Sequence, residues 1–85
     1  METIVDRFAL IVQLEQVKMP WLQEQTGISS GRWHKVKTLQ NAMRTSDLEA
    51  LNKVWPQYAH WLSTGNELPE VGQISPITRL RKKSN

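Results

Sequence analysis

With 85 residues the chain makes one domain and no more, closing over roughly 60–65% of its unfolded surface, which leaves little room for a second buried catalytic cavity. It has no cysteine, so disulfides and thiolate metal sites are excluded, which fits a reducing cytoplasm. The net charge of +3 is unevenly held: 30–45 carries Arg32, Lys35, Lys37 and Arg44 without an acid, 79–83 carries Arg79, Arg81, Lys82 and Lys83 without an acid, and the remainder nets −5. This segregation points to an anionic partner, nucleic acid first, although charge alone fits a solvated basic loop and tail equally well. The longest apolar stretch, 8–12, is too short to span a bilayer. The opening Met1-Glu2-Thr3 lacks a basic run, so no signal peptide is expected.

The predicted elements follow in chain order. Thr3 with Asp6 three residues on resembles a helix cap, and Ile4, Phe8, Ile11 and Val12 recur at helical spacing. A first helix is therefore expected over 4–15. Pro20 suits the first turn of a short second helix, 20–25, which Gly27 ends in the left-handed conformation. Ser29 caps a third helix over 30–37, with Trp33 and Val36 three apart on its buried side. The stretch 38–45 reads as a loop with Leu39 and Met43 tucked beneath it. Ser46 and Glu49 match a capping box for a fourth helix over 47–54, which buries Leu48, Leu51 and Val54. Pro56 starts a fifth helix over 56–63, closed by Gly65. From 66 to 85, Pro69, Gly72 and Pro76 interrupt scattered apolar residues. That segment reads as an extended arm with a short strand over 70–74 and a basic tail, disordered in the free protein and available for phosphate contacts.

Two short helices joined by a tight glycine turn form a helix-turn-helix skeleton. The first helix braces the second, whose N-terminal half can enter the major groove. Leu22-Gln23-Glu24-Gln25-Thr26-Gly27-Ile28-Ser29 resembles the core of the λ-repressor/Cro-like (XRE-like) helix-turn-helix family. Leu22, Gly27, Ile28 and Ser29 fall on the family's key positions, Val17 on the aliphatic position before the second helix, and Trp33 and Val36 on the buried positions of the recognition helix. The stretch 44–51 resembles the family's loop into helix 4, and Trp61-Leu62-Ser63-Thr64-Gly65 its common end to helix 5. The likeness covers 3–65. The family's usual alanine is Gln23 here, a residue that either forces the helix pair apart or points its amide outward. Trp33 replaces a smaller aliphatic residue, and 38–45 lacks the familiar glycine and proline.

The resemblance implies an all-α, five-helix λ-repressor-like domain over 1–65, followed by the arm and tail over 66–85. It implies a sequence-specific DNA-binding transcriptional regulator, a repressor, that binds a palindromic operator as a homodimer through the helix at 30–37. Carried over by position, Ser29 and Ser30 touch phosphates and base edges. Gly31, His34 and Lys35 face the groove, with Gly31 only permitting close approach and Lys35 donating to guanine. Lys37, Thr38 and Arg44 meet phosphates, and Arg32 faces either the groove or helix 2. The expected dimer surface is helix 5 with 68–77.

Other chemistry finds less support. Trp33 and Trp61 read as core, whereas Trp21 and Trp55 adjoin prolines near helix ends, and an exposed one would mark a partner surface. His34 and His60 are too far apart in sequence, without cysteines, to suggest a metal. No serine has a histidine and an acid at a catalytic spacing. No enzyme, cofactor, metal or small-molecule substrate is therefore expected. The rival class is a protein–protein interaction module on the same fold: an antitoxin, an adaptor or a small inhibitor.

Overall fold

The computed structural model describes residues 2–38 and 42–83. Six α-helices follow in order: α1 (Ile4–Glu15), α2 (Met19–Thr26), α3 (Ser30–Lys37), α4 (Thr45–Val54), α5 (Ala59–Thr64) and α6 (Pro76–Lys83). Single 3₁₀ turns at Pro56–Tyr58 and Pro69–Val71 precede α5 and α6 respectively. Among the described residues the only β pairing is an isolated antiparallel bridge between Leu68 and Gln73.

The first helix begins as its sequence dictates. The Asp6 amide donates to Thr3 Oγ1 at 3.2 Å and the Thr3 amide to Asp6 Oδ2 at 2.9 Å, a reciprocal box that satisfies two otherwise orphaned donors. The helix closes at Gln16, whose φ of 58° is the only positive value outside glycine among the described residues. Val5, Phe8, Ile11 and Val12 form its buried stripe. Around them pack Leu22 of α2, Trp33 and Val36 of α3, Leu51 of α4, and Trp55, Tyr58, Trp61 and Leu62. Phe8 and Trp33 meet with ring centroids 5.4 Å apart, so the indole occupies the centre of the core. Arg7 is buried as well: its Nε donates to the Leu62 carbonyl at 2.8 Å, and its Nη1 lies 3.1 Å from Glu2 Oε2. It thus satisfies a carbonyl near the end of α5, where cations are favoured. Gly65, at φ 82°, leaves room for this guanidinium, since an added Cβ would sit 3.3 Å from Arg7 Nη1.

Several sequence expectations need correction. Helix α4 starts two residues early, because Asp47 rather than Ser46 supplies the cap: its Oδ2 accepts the Arg44 amide at 2.8 Å. Asp47 is buried, whereas Leu48 and Val54 are only partly covered. The expected fifth helix opens as a 3₁₀ turn before continuing as α5. Met43 is partly buried against the core; Leu39 lies outside the described residues.

The largest correction concerns the C-terminal segment. It is not an extended arm over 76–83 but a helix that returns to α1. Gly72 turns the chain at φ 79°, and the Leu68–Gln73 bridge takes the place of the expected strand. The Gln73 side chain accepts the His60 amide at 2.9 Å and donates to the Pro56 carbonyl at 3.0 Å, while the Ile74 amide donates to the Gln57 carbonyl at 2.9 Å. The Thr78 amide then donates to Ser75 Oγ at 3.2 Å, so buried Ser75 caps a helix with Pro76 at its first position. Arg79 Nη1 lies 3.6 Å from Glu15 Oε1, an oxygen that also accepts the Tyr58 hydroxyl.

Candidate nucleic-acid interface

The turn between α2 and α3 is held by more than its glycine. Gly27 has φ 75°, a left-handed conformation that a side chain adopts only with strain, and its amide donates to the Gln23 carbonyl at 2.8 Å. Thr26 is the second element. Its hydroxyl donates to the Leu22 carbonyl at 2.7 Å and accepts both the Ile28 amide at 3.1 Å and the Trp33 indole N–H at 3.0 Å. One hydroxyl therefore ties the end of α2, the turn and the core face of α3 together. Gln23 resolves its open alternative: it is exposed, and its Oε1 accepts the Ser30 amide at 2.8 Å, so it bridges the two helices instead of separating them.

Helix α3 begins at its cap, where the Arg32 amide donates to Ser29 Oγ at 3.2 Å. Trp33 and Val36 point inward and are fully buried. By helical period, Ser30, Gly31, His34, Lys35 and Thr38 then share the outward stripe. Gly31, His34, Lys35, Lys37 and Thr38 are exposed, and Ser30 is half-buried. A Cβ added at Gly31 would meet nothing within 4 Å, so this stretch of the face is open. The Thr38 hydroxyl is partly engaged, donating to the His34 carbonyl at 2.9 Å. Arg44 is exposed at the cap position of α4.

Arg32 takes neither of its two expected directions. Its guanidinium turns to α4, where Nε donates to Asp47 Oδ1 at 3.1 Å and Nη2 to Oδ2. Burial by itself would push the Asp47 carboxyl up. The Arg32 guanidinium and the Arg44 amide outweigh it and hold the group below its ordinary value of 3.8. The same contact raises the Arg32 pKa. A two-pronged pair of this kind fixes orientation as well as distance. The sequence carried no local sign of it, because the partners lie 15 residues apart.

A groove between α1 and the end of α3 is lined by both Lys18 and Lys37, together with Ala9, Val12 and Val17. Lys18 thus joins the bases around α3, an addition that its place in the acid-rich N-terminal part of the sequence concealed. Trp21 is 37% exposed and lies against buried Trp55, with ring centroids 5.9 Å apart. Among the described residues no three His, Cys, Asp or Glu side chains are grouped so as to hold a metal, and no helix is long and apolar enough to cross a membrane.

No family model matches the chain, and no curated protein matches it. Among solved structures the chain is similar to Pf6r from the filamentous phage Pf6 of Pseudomonas aeruginosa PA01. The two are 33% identical and superpose with a TM-score of 0.76, over 88% of this chain and 96% of Pf6r. An all-helical fold shared at this identity, along nearly the whole of Pf6r, makes this chain a member of the same family as that phage protein.

Proposed function

We propose that this protein is a sequence-specific DNA-binding transcriptional regulator of the λ-repressor/Cro-like kind, acting as a repressor in the cytoplasm. Helix α3 enters the major groove. His34 and Lys35 read base edges, Ser29 and Ser30 meet phosphates or base edges at its start, and Gly31 lets the duplex come close. Lys37, Thr38 and Arg44 anchor phosphates, and Lys18 joins them. The observation that carries this reading is the outward stripe of α3: open, basic, free of acids, and held on a turn fixed by Thr26 and Gln23. Its kinship with a phage protein suits such a role.

A single eight-residue recognition helix discriminates little, so the protein works as a homodimer on a palindromic site. The dimer surface lies on α5 and 68–77, where Leu68 and Val71 are exposed. Selection of bound duplexes from random oligonucleotides tests the proposal. The expected outcome is a recovered motif with two inverted half-sites about one helical turn apart. Recovery of random sequence would remove the specificity claim. The rival reading, a protein–protein module, draws on the exposed Trp21 indole. Either reading lets so basic a chain be retained on heparin, but only DNA binding predicts a footprint on duplex DNA, with an affinity that falls steeply with salt.

A further inference from the structure

The carboxylate of Asp47 is 1% exposed and lies off the outward stripe of α3, yet it is the most connected acid near the interface. It receives Arg32 Nε at 3.1 Å on Oδ1, and both Arg32 Nη2 and the Arg44 amide on Oδ2, the latter at 2.8 Å. Arg32 Nη2 also lies 3.5 Å from the Ala42 carbonyl. One buried group therefore joins the helix that carries His34 and Lys35 to the chain that carries Arg44. By sequence alone Arg32 faces either the groove or helix 2, and Asp47 carries no role.

We propose that Asp47 is a positioning residue for DNA recognition. It withdraws the Arg32 guanidinium from the outward face of α3 and holds Arg44 in fixed register with His34 and Lys35. The inference rests on the DNA-binding reading above. A guanidinium freed beside the duplex is attracted to phosphates of every sequence alike, which raises non-specific binding. Held on Asp47, it leaves discrimination to the groups that face the base edges, and the backbone from which the Arg44 anchor extends is fixed through its amide. Lysine cannot substitute for Arg32 here, because a single ammonium lacks the fork that grips both carboxylate oxygens.

The test uses the full chain, a duplex recovered by selection and a scrambled duplex of equal length, with thermal melting in parallel. Asp47→Asn is expected to bind the scrambled duplex more tightly and to lower the selected-to-scrambled ratio about tenfold. Arg32→Lys keeps the charge and is expected to lose the ratio to a similar extent. Glu49→Gln, an exposed acid on the same helix, changes the charge as Asp47→Asn does and should keep the ratio near that of the unmodified protein. Equal shifts in Asp47→Asn and Glu49→Gln would overturn the inference, since charge alone would then explain both. It is overturned too if Asp47→Asn tightens binding to the selected duplex while Arg32→Lys weakens it, for Arg32 would then be a direct reader. Should Asp47→Asn melt below the assay temperature, Arg32→Lys decides: an unchanged ratio overturns the inference and a reduced one supports it. Failure to recover any duplex overturns the functional reading itself, and this inference with it.

Discussion

Single residues fix the turn between α2 and α3 through polar atoms that must be satisfied once buried. Thr26 is the clearest case, since the Trp33 indole and the Ile28 amide both donate to its hydroxyl. Thr26→Val preserves shape and removes both acceptor contacts, so stability should fall by about 1–3 kcal/mol in chemical denaturation. A change within a few tenths of a kcal/mol would mean that water replaces the hydroxyl. Asp47 supplies a second prediction, with its sign set by linkage. Its pKa is lowered on folding, so its contribution is present above the ordinary value of 3.8 and is lost as pH falls through the folded value. Asp47→Asn should therefore flatten the acid limb of the stability curve in thermal melts, leaving the curve above neutrality parallel to that of the unmodified protein. Both residues carry ordinary sequence signatures, a threonine at a helix end and an aspartate in a first turn. Their distinctive work depends on partners from other elements.

At the scale of elements, α3 and α6 behave differently. Helix α3 was legible to the residue: a serine cap, two buried positions and an open polar face coincide with the observed Ser30–Lys37. If its outer face reads bases, Lys35→Ala and His34→Ala should each weaken binding to the selected duplex by roughly 1–3 kcal/mol and relax specificity. Arg44→Ala should instead weaken all sequences alike and reduce the salt slope by about one. Titrating fluorescence anisotropy at several salt concentrations separates the two behaviours. Helix α6 is not legible in the sequence although Ser75-Pro76 is a valid start signal, because Pro69, Gly72 and Pro76 together read as breakers. Glu15 of α1 meets both Arg79 of α6 and the Tyr58 hydroxyl at one oxygen. Burial first, and then the Glu15 hydrogen bond and charge, raise the Tyr58 phenol above its ordinary value of 10.0. Folding stability should accordingly decline as pH rises past that value, where the unfolded phenol ionises and the folded one does not. Tyr58 is the only tyrosine in the chain, so phenolate absorbance reports it directly. Glu15→Gln should lower its midpoint without restoring the ordinary value.

For the whole molecule, exposed apolar surface bears on assembly. The exposed large apolar side chains among the described residues are Trp21, Leu68, Val71, Ile77 and Leu80, four of them in the segment after α5. Such clustering suits a partner surface. A homodimer predicts a concentration-dependent shift in sedimentation velocity that Val71→Glu abolishes while the melting temperature of the dilute protein stays unchanged. Monomer at every concentration, with and without DNA, would remove the dimer from the proposal.

The sequence by itself determined the helical class, the position of the turn and most of the core. Those rest on local causes: spacing along one helix, a glycine that tolerates positive φ, and serine or threonine caps. Only the tertiary structure decided that Arg32 braces α4, that Gln23 links α2 to α3, that Lys18 and Lys37 line one groove, and that the last segment folds back as α6. Each depends on groups from different elements, 7 residues apart for Gln23 and Ser30, 15 for Arg32 and Asp47, and 64 for Glu15 and Arg79. A guanidinium or a carboxamide has no preferred direction until packing places its partner, so no pattern along the chain records which one it will take.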